Sequence, residues 1–333
     1  MSSPALEFDP YLNDPDRWGV SLAQMAEIML PCLDAAGVKS IAEVGAYAGD
    51  LTRVLVAWGE SAGARVLAID PSPQPGLERL AAEHPELELI RETSIDALGG
   101  AGFDSLPDAI VIDGDHNYYT VSEELRLIGE RMPGAKLPLL LFHDVRWPHG
   151  RRDDYFDAEQ IPAPARRPIA GDAGGLFPGE AGVRRGGLPY PRSAAREGGP
   201  ANGVLTAIED FVSGREGVRL AVVPAFFGFG VVWHTGGTWS DEIAAILDPF
   251  DQHPVLERLE VNRVQHLARG HSQRNEVWEL RRRLARQQAL LQRLLDSSAF
   301  AVAERLSRLR ASAGIATDQS IVSKDEIRAV MRD

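Results

Sequence analysis

The stretch that decides the fold is Ile41-Ala42-Glu43-Val44-Gly45-Ala46-Tyr47-Ala48-Gly49-Asp50-Leu51-Thr52. Residues 39–44 form a short apolar run with β-branched side chains, whereas later apolar residues repeat at helical spacing: Leu51, Val54, Leu55 and Trp58. The hydrophobic period therefore changes from that of a strand to that of a helix across Gly45–Gly49. A glycine at such a turn admits positive φ and lets a ligand approach the backbone. The stretch predicts a buried strand, a glycine turn and a helix, where α/β proteins bind nucleotides.

The glycine pattern is Glu-x-Gly-x-x-x-Gly, and it differs from the dinucleotide fingerprint. Tyr47 stands where Gly-x-Gly-x-x-Gly has the second glycine that lets a pyrophosphate lie close, which argues against NAD. The acid at Glu43 suits a ligand with a cationic amino-acid end, since opposite charges stabilise each other. S-adenosylmethionine is such a ligand, and the motif resembles the first motif of class I S-adenosylmethionine-dependent methyltransferases. A tight turn in some other α/β protein is the alternative.

Composition and charge limit the classes of protein. The chain has 333 residues, 44% hydrophobic and 25% charged, as expected for a soluble globular protein with one large core and an appendage. A net charge of −13 argues against wholesale binding to nucleic acid or anionic membranes, which need concentrated positive charge. The one cysteine, Cys32, excludes an intrachain disulfide and a cysteine-rich zinc site. The sequence does not begin with the basic residues and apolar run of a signal peptide, and it contains no apolar segment of membrane-spanning length. We therefore expect a cytoplasmic protein that does not insert into a membrane.

The next elements supply further candidates for the donor site. Residues 1–20 are a polar extension, and a helix follows, ending near Gly37. The strand over residues 64–71 closes on Asp70, about twenty residues past the glycine turn, where an acid accepts hydrogen bonds from ribose hydroxyls. After a third strand at 87–90, the resemblance implies an adenine contact, with Ser94 the best candidate and Asp96 a weaker one. Both could instead cap the following helix.

Two strands end in clusters of acids and imidazoles. The apolar run before Asp113 leads into Asp113-Gly114-Asp115-His116-Asn117-Tyr118, and the run over 137–142 leads into His143-Asp144. Polar groups at the carboxyl ends of buried strands lie where α/β enzymes bind ligands. Two neighbouring strand ends should therefore converge on one site. Asp113 and Asp144 could share a hard divalent cation such as magnesium, which takes oxygen ligands.

This pair of motifs resembles metal-dependent O-methyltransferases that act on sugars of macrolide antibiotics and of bacterial polysaccharides, with catechol-type enzymes as more distant relatives. The resemblance, over roughly residues 20–236, implies that Asp113 and Asp144 hold magnesium and that His116 is the catalytic base. The family often has another acid before the second aspartate. Here that residue is His143, our candidate for the third metal ligand. A hydrogen-bonded loop histidine is the alternative for His116.

Residues 146–200 are rich in proline, glycine and arginine and poor in apolar residues. An irregular stretch of this length in a compact domain is either a functional lid or disordered. Because it follows His143-Asp144 directly, we interpret it as a lid and acceptor-binding loop. Its arginines and four ring-bearing residues could stack on or hydrogen-bond a sugar, namely Trp147, His149, Tyr155 and Tyr190. A flexible insertion is the alternative.

A helix from Asn202 to Gly214 and two strands at 218–223 and 228–234 follow. The resemblance implies a doubly wound, mostly parallel, seven-stranded α/β sheet with this terminal antiparallel hairpin, and a methyltransferase domain over residues 21–237. The pattern of the remaining residues, 238–333, is charged and predicts a helical tail. In the tail, Val277, Leu284 and Leu291 lie seven residues apart. Dimerisation through this helix is one hypothesis, and packing on its own catalytic domain is the other.

The sequence thus favours an S-adenosylmethionine-dependent, metal-assisted O-methyltransferase acting on a sugar hydroxyl. His116 would be the base, and the donor would be held by Glu43, Gly45, Tyr47, Gly49, Asp70, Ser94 and Asp113. A phenolic acceptor is the second enzymatic alternative. The alternative of another class is a non-catalytic scaffold that assembles partners through its tail.

Overall fold

Seven strands form one mixed sheet in the structure, a computed structural model that describes residues 21–100, 105–132, 137–171, 174–314 and 322–331. The strands are β1 (Ser40–Val44), β2 (Arg65–Ile69), β3 (Leu87–Ile90), β4 (Ala109–Ile112), β5 (Leu139–Phe142), β6 (Val218–Val223) and β7 (Phe229–His234). Their order across the sheet is β3-β2-β1-β4-β5-β7-β6. β1 to β5 pair in parallel, and β7 runs antiparallel to both β5 and β6. The predicted sheet, including its terminal hairpin, is confirmed.

Ten α-helices accompany the strands in the described part of the chain. They are α1 (Ala26–Ala35), α2 (Asp50–Ala62), α3 (Pro75–Glu83), α4 (Ser94–Gly99), α5 (Tyr118–Arg131), α6 (Val204–Ser213), α7 (Ser240–Leu247), α8 (Pro254–Asp296), α9 (Ser298–Ser312) and α10 (Lys324–Val330). Helices that alternate with parallel strands cover both faces of a sheet. The central strands can therefore be apolar throughout.

The core consists of two apolar layers, one on each face of the sheet. α1, α2, α3 and α7 contribute to one layer, and α4, α5 and α6 to the other. β4 and β5 are buried along their whole length, as strands covered on both faces are. Cys32 of α1 is fully buried in the first layer, and burial raises the pKa of its thiol to about 12.

The strand order places the candidate residues at one edge of the sheet. β1 lies between β2 and β4, so the chain reverses its direction of winding at β1 and β4. Ligands bind outside the carboxyl ends of the strands at such a switch point. Gly45, Asp113 and His143 are the residues that follow β1, β4 and β5 there.

The chain divides into two compact units, residues up to Arg269 and residues from Gly270 onwards. The second unit comprises the rest of α8 with α9 and α10. Leu295 and Ile327 are buried within it, and the Lys324 ammonium donates to the Leu295 carbonyl over 2.6 Å. No helix of the described residues is long and apolar enough to span a membrane. The domain boundary expected at residue 237 stays a prediction.

Candidate active site

The glycine turn after β1 packs directly on the end of β4. Gly45 and Gly49 have φ of 83° and 85°, and Tyr47 between them has φ of 44° with an exposed ring. A Cβ added at Gly45 would lie 2.3 Å from the Asp113 carbonyl oxygen. Glycine is therefore required at residue 45 for positive φ and for close approach to Asp113.

Glu43, the acid before this turn, is buried and accepts a hydrogen bond of 2.6 Å from the Thr52 hydroxyl. Burial raises the pKa of its carboxyl to about 8. The group is therefore neutral around pH 7 unless a cation lies beside it. A cationic ligand end at this position would favour loss of the proton.

Asp70 and Ser94 lie at the ends of neighbouring elements, as the sequence predicts. The Asp70 carboxylate, after β2, accepts N–H groups from Tyr47 at 2.7 Å and Ser72 at 2.8 Å, so it is tied to the glycine turn. Ser94 is the first residue of α4, and Thr93 is the N-cap, whose hydroxyl accepts from the Asp96 N–H over 3.2 Å. Ser94 is therefore not the helix cap. Its contact with a donor stays a prediction.

The acids and imidazoles after β4 and β5 form one cluster. His143 Nδ1 lies 3.0 Å from Asp113 Oδ1 and 3.6 Å from Asp144 Oδ2, and His116 Nδ1 lies 3.4 Å from Asp144 Oδ2. Asp144 has φ of 56°, an uncommon backbone conformation that turns the chain sharply after β5. The sequence-predicted convergence of Asp113, His116 and Asp144 is observed.

His143 has a fixed orientation in this cluster. Its Nε2 donates to the Phe226 carbonyl over 2.8 Å, which leaves Nδ1 facing Asp113 and Asp144. Burial opposes protonation, but the two carboxylates raise the pKa of His143 to about 9. Conversely, burial would raise the pKa of Asp144, and the His143 and His116 imidazoles hold it below its usual range.

The residues fit a divalent cation. The ligating atoms of Asp113, His143 and Asp144 all lie within 4.8 Å of one another. Metal-binding histidines commonly donate their second ring N–H to a backbone carbonyl, as His143 does to Phe226. Cation binding at Nδ1 would require loss of its proton, because ligands bind metals in their deprotonated form.

His116 and His149 stack face to face. Their ring centroids are 5.1 Å apart at an interplanar angle of 14°, and the Tyr190 ring contacts His149 edge-on at 4.9 Å. Burial opposes protonation of His116, yet Asp144 and Asp113 raise its pKa, whereas burial lowers the pKa of His149. His149 Nδ1 is buried without a hydrogen-bond partner among the described residues. Of the residues predicted to contact an acceptor, His149 lies beside His116, and Tyr190 lies beside His149.

The segment from Arg146 to Gly203, here called the connecting segment, is held by two carboxylates, Asp115 and the buried Asp153. The Asp115 carboxylate accepts from the Phe156 N–H and the Thr120 hydroxyl, each over 2.8 Å. Asp153 accepts from the N–H groups of Tyr118 at 2.8 Å and Gly203 at 2.7 Å. The connecting segment is thus tied to the loop between β4 and α5, to the first turn of α5 and to the residue before α6.

Two predicted acceptor contacts are wrong. Tyr155 is fully buried, and its hydroxyl donates to Asp153 and accepts from the Arg167 N–H. Arg152 is also fully buried and donates to the Ala194 and Ala181 carbonyls. Both side chains stabilise the connecting segment, because a buried guanidinium or phenol needs internal partners.

Sequence reasoning predicted the hairpin of β6 and β7 but missed the backbone conformation of its turn. Phe226 and Phe227 both have positive φ there, at 52° and 68°, and Glu260 of α8 accepts both of their N–H groups. The sequence indicated only a short connection between the two strands. It gave no indication that a backbone carbonyl orients His143.

A family model matches part of the chain. Residues 42–145 match the family model described as a methyltransferase domain. No curated protein sequence matches the chain.

Three of the similar solved structures are methyltransferases. Methyltransferase PaMTH1 of Podospora anserina is 13% identical, with 70% of this chain and 99% of that chain covered and a TM-score of 0.39. A Streptomyces davawensis N,N-8-amino-8-demethyl-D-riboflavin dimethyltransferase is 14% identical, covering 66% and 58% at a TM-score of 0.36. Human N-acetylserotonin methyltransferase is 13% identical, covering 70% and 60% at a TM-score of 0.34. This chain spans less than two thirds of the latter two proteins.

The family match begins in β1 and ends just after Asp144, so it includes the glycine turn, Asp70 and both acid-bearing strand ends. Residues 42–145 are therefore similar to a methyltransferase domain, and the sheet that contains them has the Rossmann-like fold of methyltransferases.

Proposed function

We propose that this chain is a metal-assisted, S-adenosylmethionine-dependent O-methyltransferase that methylates a hydroxyl group of a sugar or glycan. The observation that supports it most is the contact between the glycine turn and the acid cluster. Gly45 touches the Asp113 backbone, and the Asp113 side chain faces His143. A donor bound at the turn would therefore lie beside acids and imidazoles that could activate an acceptor.

The donor would be held by the first part of the sheet edge. Glu43, Gly45, Tyr47 and Gly49 would meet its amino-acid end, and Asp70 its ribose. We propose that Ser94 and Asp113 complete the donor site near the adenine. S-adenosylmethionine supplies an electrophilic methyl group when bound. The protein has to align an acceptor oxygen with this methyl group, because holding two reactants in the correct geometry contributes a large part of an enzyme's rate enhancement.

Asp113, Asp144 and His143 would hold a divalent cation, magnesium in our proposal. Bound there, such a cation would favour the ionised form of an acceptor hydroxyl, as it does for water. His116 would take the hydroxyl proton. Asp144 faces its Nδ1, which leaves Nε2 as the nitrogen for this transfer. The arrangement corresponds to a base oriented by a carboxylate.

The polar surroundings of His116 favour a sugar over a phenol as the acceptor. His149 stacks on its ring, Tyr190 contacts the His149 ring edge-on, and Asp154 donates its N–H to the His116 carbonyl over 2.9 Å. The unpartnered Nδ1 of His149 is a further polar group beside the base. A phenolic acceptor of the catechol type is the runner-up.

Calorimetry with S-adenosylmethionine, with and without magnesium, tests the donor site and the metal separately. We expect donor binding without metal and methyl transfer that needs metal. Asp113→Ala should lose the metal-dependent methyl transfer, because it removes one of the proposed metal ligands. Sugar and catechol acceptors assayed side by side distinguish the two acceptor classes.

Several outcomes would contradict the proposal. Activity undiminished by a chelator would remove the metal from the mechanism, and an unchanged rate for His116→Ala would remove the base. No turnover with donor, metal and both acceptor classes would favour the scaffold alternative.

We also propose that a second copy of the chain binds through the tail. Val277, Leu280 and Leu284 follow the a and d positions of a heptad and are 46%, 55% and 54% exposed. Apolar stripes of this kind mark interaction surfaces. In a parallel pair, Glu276 at a g position would face Arg281 at an e position of the other copy.

A further inference from the structure

The turn between β6 and β7 has a backbone that needs support. Phe226 and Phe227 are consecutive non-glycine residues with φ of 52° and 68°. Residues with large side chains adopt this conformation only where the surrounding structure over-determines it. The neighbouring Gly228 is equally constrained, because an added Cβ would lie 2.6 Å from Arg146 Cγ. The turn is therefore packed closely against Arg146.

Glu260 of α8 supplies that support. The residue is 7% exposed, and its two carboxylate oxygens accept the N–H groups of Phe226 at 3.1 Å and Phe227 at 2.8 Å. Arg263 pairs with the same two oxygens at 2.7 and 2.6 Å. Both carboxylate oxygens are therefore used twice. The bonds are charge-assisted, a type roughly twice as strong as neutral ones.

The turn passes this constraint to the acid cluster through its carbonyl groups. The Phe226 carbonyl accepts from His143 Nε2 over 2.8 Å, and the Phe227 carbonyl accepts from the Arg146 N–H over 2.7 Å. The Ser21 hydroxyl also lies 3.4 Å from His143 Nε2. An imidazole whose Nε2–H is committed to a carbonyl must present Nδ1 on its other side.

We propose that Glu260 is a positioning residue for the acid cluster. By holding the Phe226–Phe227 turn, it fixes the His143 ring so that Nδ1 faces Asp113 and Asp144. The role lies on α8, outside the residues that match the methyltransferase family, and it acts through another residue's backbone. The structural part stands independently of the proposed function. Only its consequence for a cation rests on that function.

Ring-selective ¹⁵N-histidine NMR tests the role in the full-length protein without any metal. His143→Gln assigns the signal. In the wild type, we expect the His143 Nε2–H to exchange slowly with water. Glu260→Gln keeps the side-chain shape but sets an NH₂ group against one of the turn's N–H groups. We expect at least tenfold faster exchange of the ring proton in this variant.

Two further variants separate positioning from general destabilisation. Glu257→Gln, one turn earlier on α8, removes a carboxylate that pairs with Arg146 instead of the turn, so the His143 signal should stay unchanged. Arg263→Gln removes the ion-pair partner of Glu260 together with the guanidinium that lies 4.4 Å from the Phe227 ring centroid, and it should give an intermediate exchange rate. An unchanged signal in Glu260→Gln, or an equal effect in Glu257→Gln, would overturn the proposal. Unfolding temperatures establish that each variant is folded.

Titration with Mn²⁺ alone, followed by electron paramagnetic resonance, tests the consequence for a cation. Loss of a partner that orients a metal-binding histidine typically weakens binding by about 10–100-fold, which we expect for Glu260→Gln. Equal Mn²⁺ affinity in wild type and Glu260→Gln would overturn this consequence. If the wild type binds no Mn²⁺ while the ring signal responds as expected, the positioning role is supported and the proposed metal site fails.

Discussion

At the scale of single residues, buried carboxyl groups should govern how stability depends on pH. Glu124 of α5 is fully buried, and burial raises the pKa of its carboxyl to about 8. The folded state then keeps a proton that the unfolded state loses near pH 4.3. Folding stability should therefore fall as the pH rises from about 4.3 to about 8, by about 1.4 kcal/mol for each unit of pKa difference at most.

Glu124→Gln tests this dependence, because glutamine is nearly isosteric and does not titrate. We expect the variant to lose part of the decline in unfolding free energy between pH 5 and pH 8, measured by urea unfolding at several pH values. Glu123→Gln on the same helix is the matched control, since its partly exposed side chain pairs with Arg126. Parallel pH profiles for wild type and Glu124→Gln would contradict the prediction.

At the scale of elements, the connecting segment depends on Asp153. Its carboxylate accepts three donors, from the start of α5, from the residue before α6 and from the Tyr155 hydroxyl. Asp153→Ala leaves all three unsatisfied, and each buried orphan costs about 1–3 kcal/mol. We expect the segment to loosen before the sheet does.

Limited trypsin digestion measures this loosening, because the segment contains many arginines. Asp153→Ala should be cut within residues 151–203 several times faster than the wild type. Asp157→Ala is the control, since the Asp157 carboxylate accepts from its sequence neighbours Glu159 and Gln160 and, among the described residues, from no other element. Equal cleavage rates for wild type and Asp153→Ala would show that the segment has other anchors of equal strength.

The sheet and its turn are predictable from sequence because their signals are local. The change of period at Gly45 and the polar residues after two apolar runs indicate which residues meet at one edge. The roles of Tyr155 and Arg152 are not predictable in this way, since an aromatic and a cation in an irregular segment look the same whether they face a ligand or the interior. The role of Glu260 could not be predicted for a different reason. Glu260 acts through the backbone of the β6–β7 turn, and the sequence does not indicate that two phenylalanines there have positive φ.

At the scale of the whole molecule, the proposed association through α8 depends on its apolar stripe. Leu284→Glu places a charge at an a position, so we expect the dimer to dissociate to monomer in multi-angle light scattering. Trp278→Glu is the control, because Trp278 is 60% exposed but lies off the stripe. A wild-type monomer at high micromolar concentration would contradict the association.

Charge exchange across the stripe tests its orientation. Glu276→Arg and Arg281→Glu should each weaken a parallel dimer, since each variant brings like charges together. The double variant should restore association, because the opposite charges meet again. Failure of the double variant to recover would argue against the parallel arrangement.

The rate at which Cys32 reacts with a thiol reagent can report local opening of the protein. The single thiol of the chain lies fully buried in α1, and it stays protonated at ordinary pH because burial raises its pKa to about 12. A maleimide or disulfide reagent can react only after the helix has detached, so the labelling rate reports how often this layer opens. One mass increment per chain would record each event without any engineered tag.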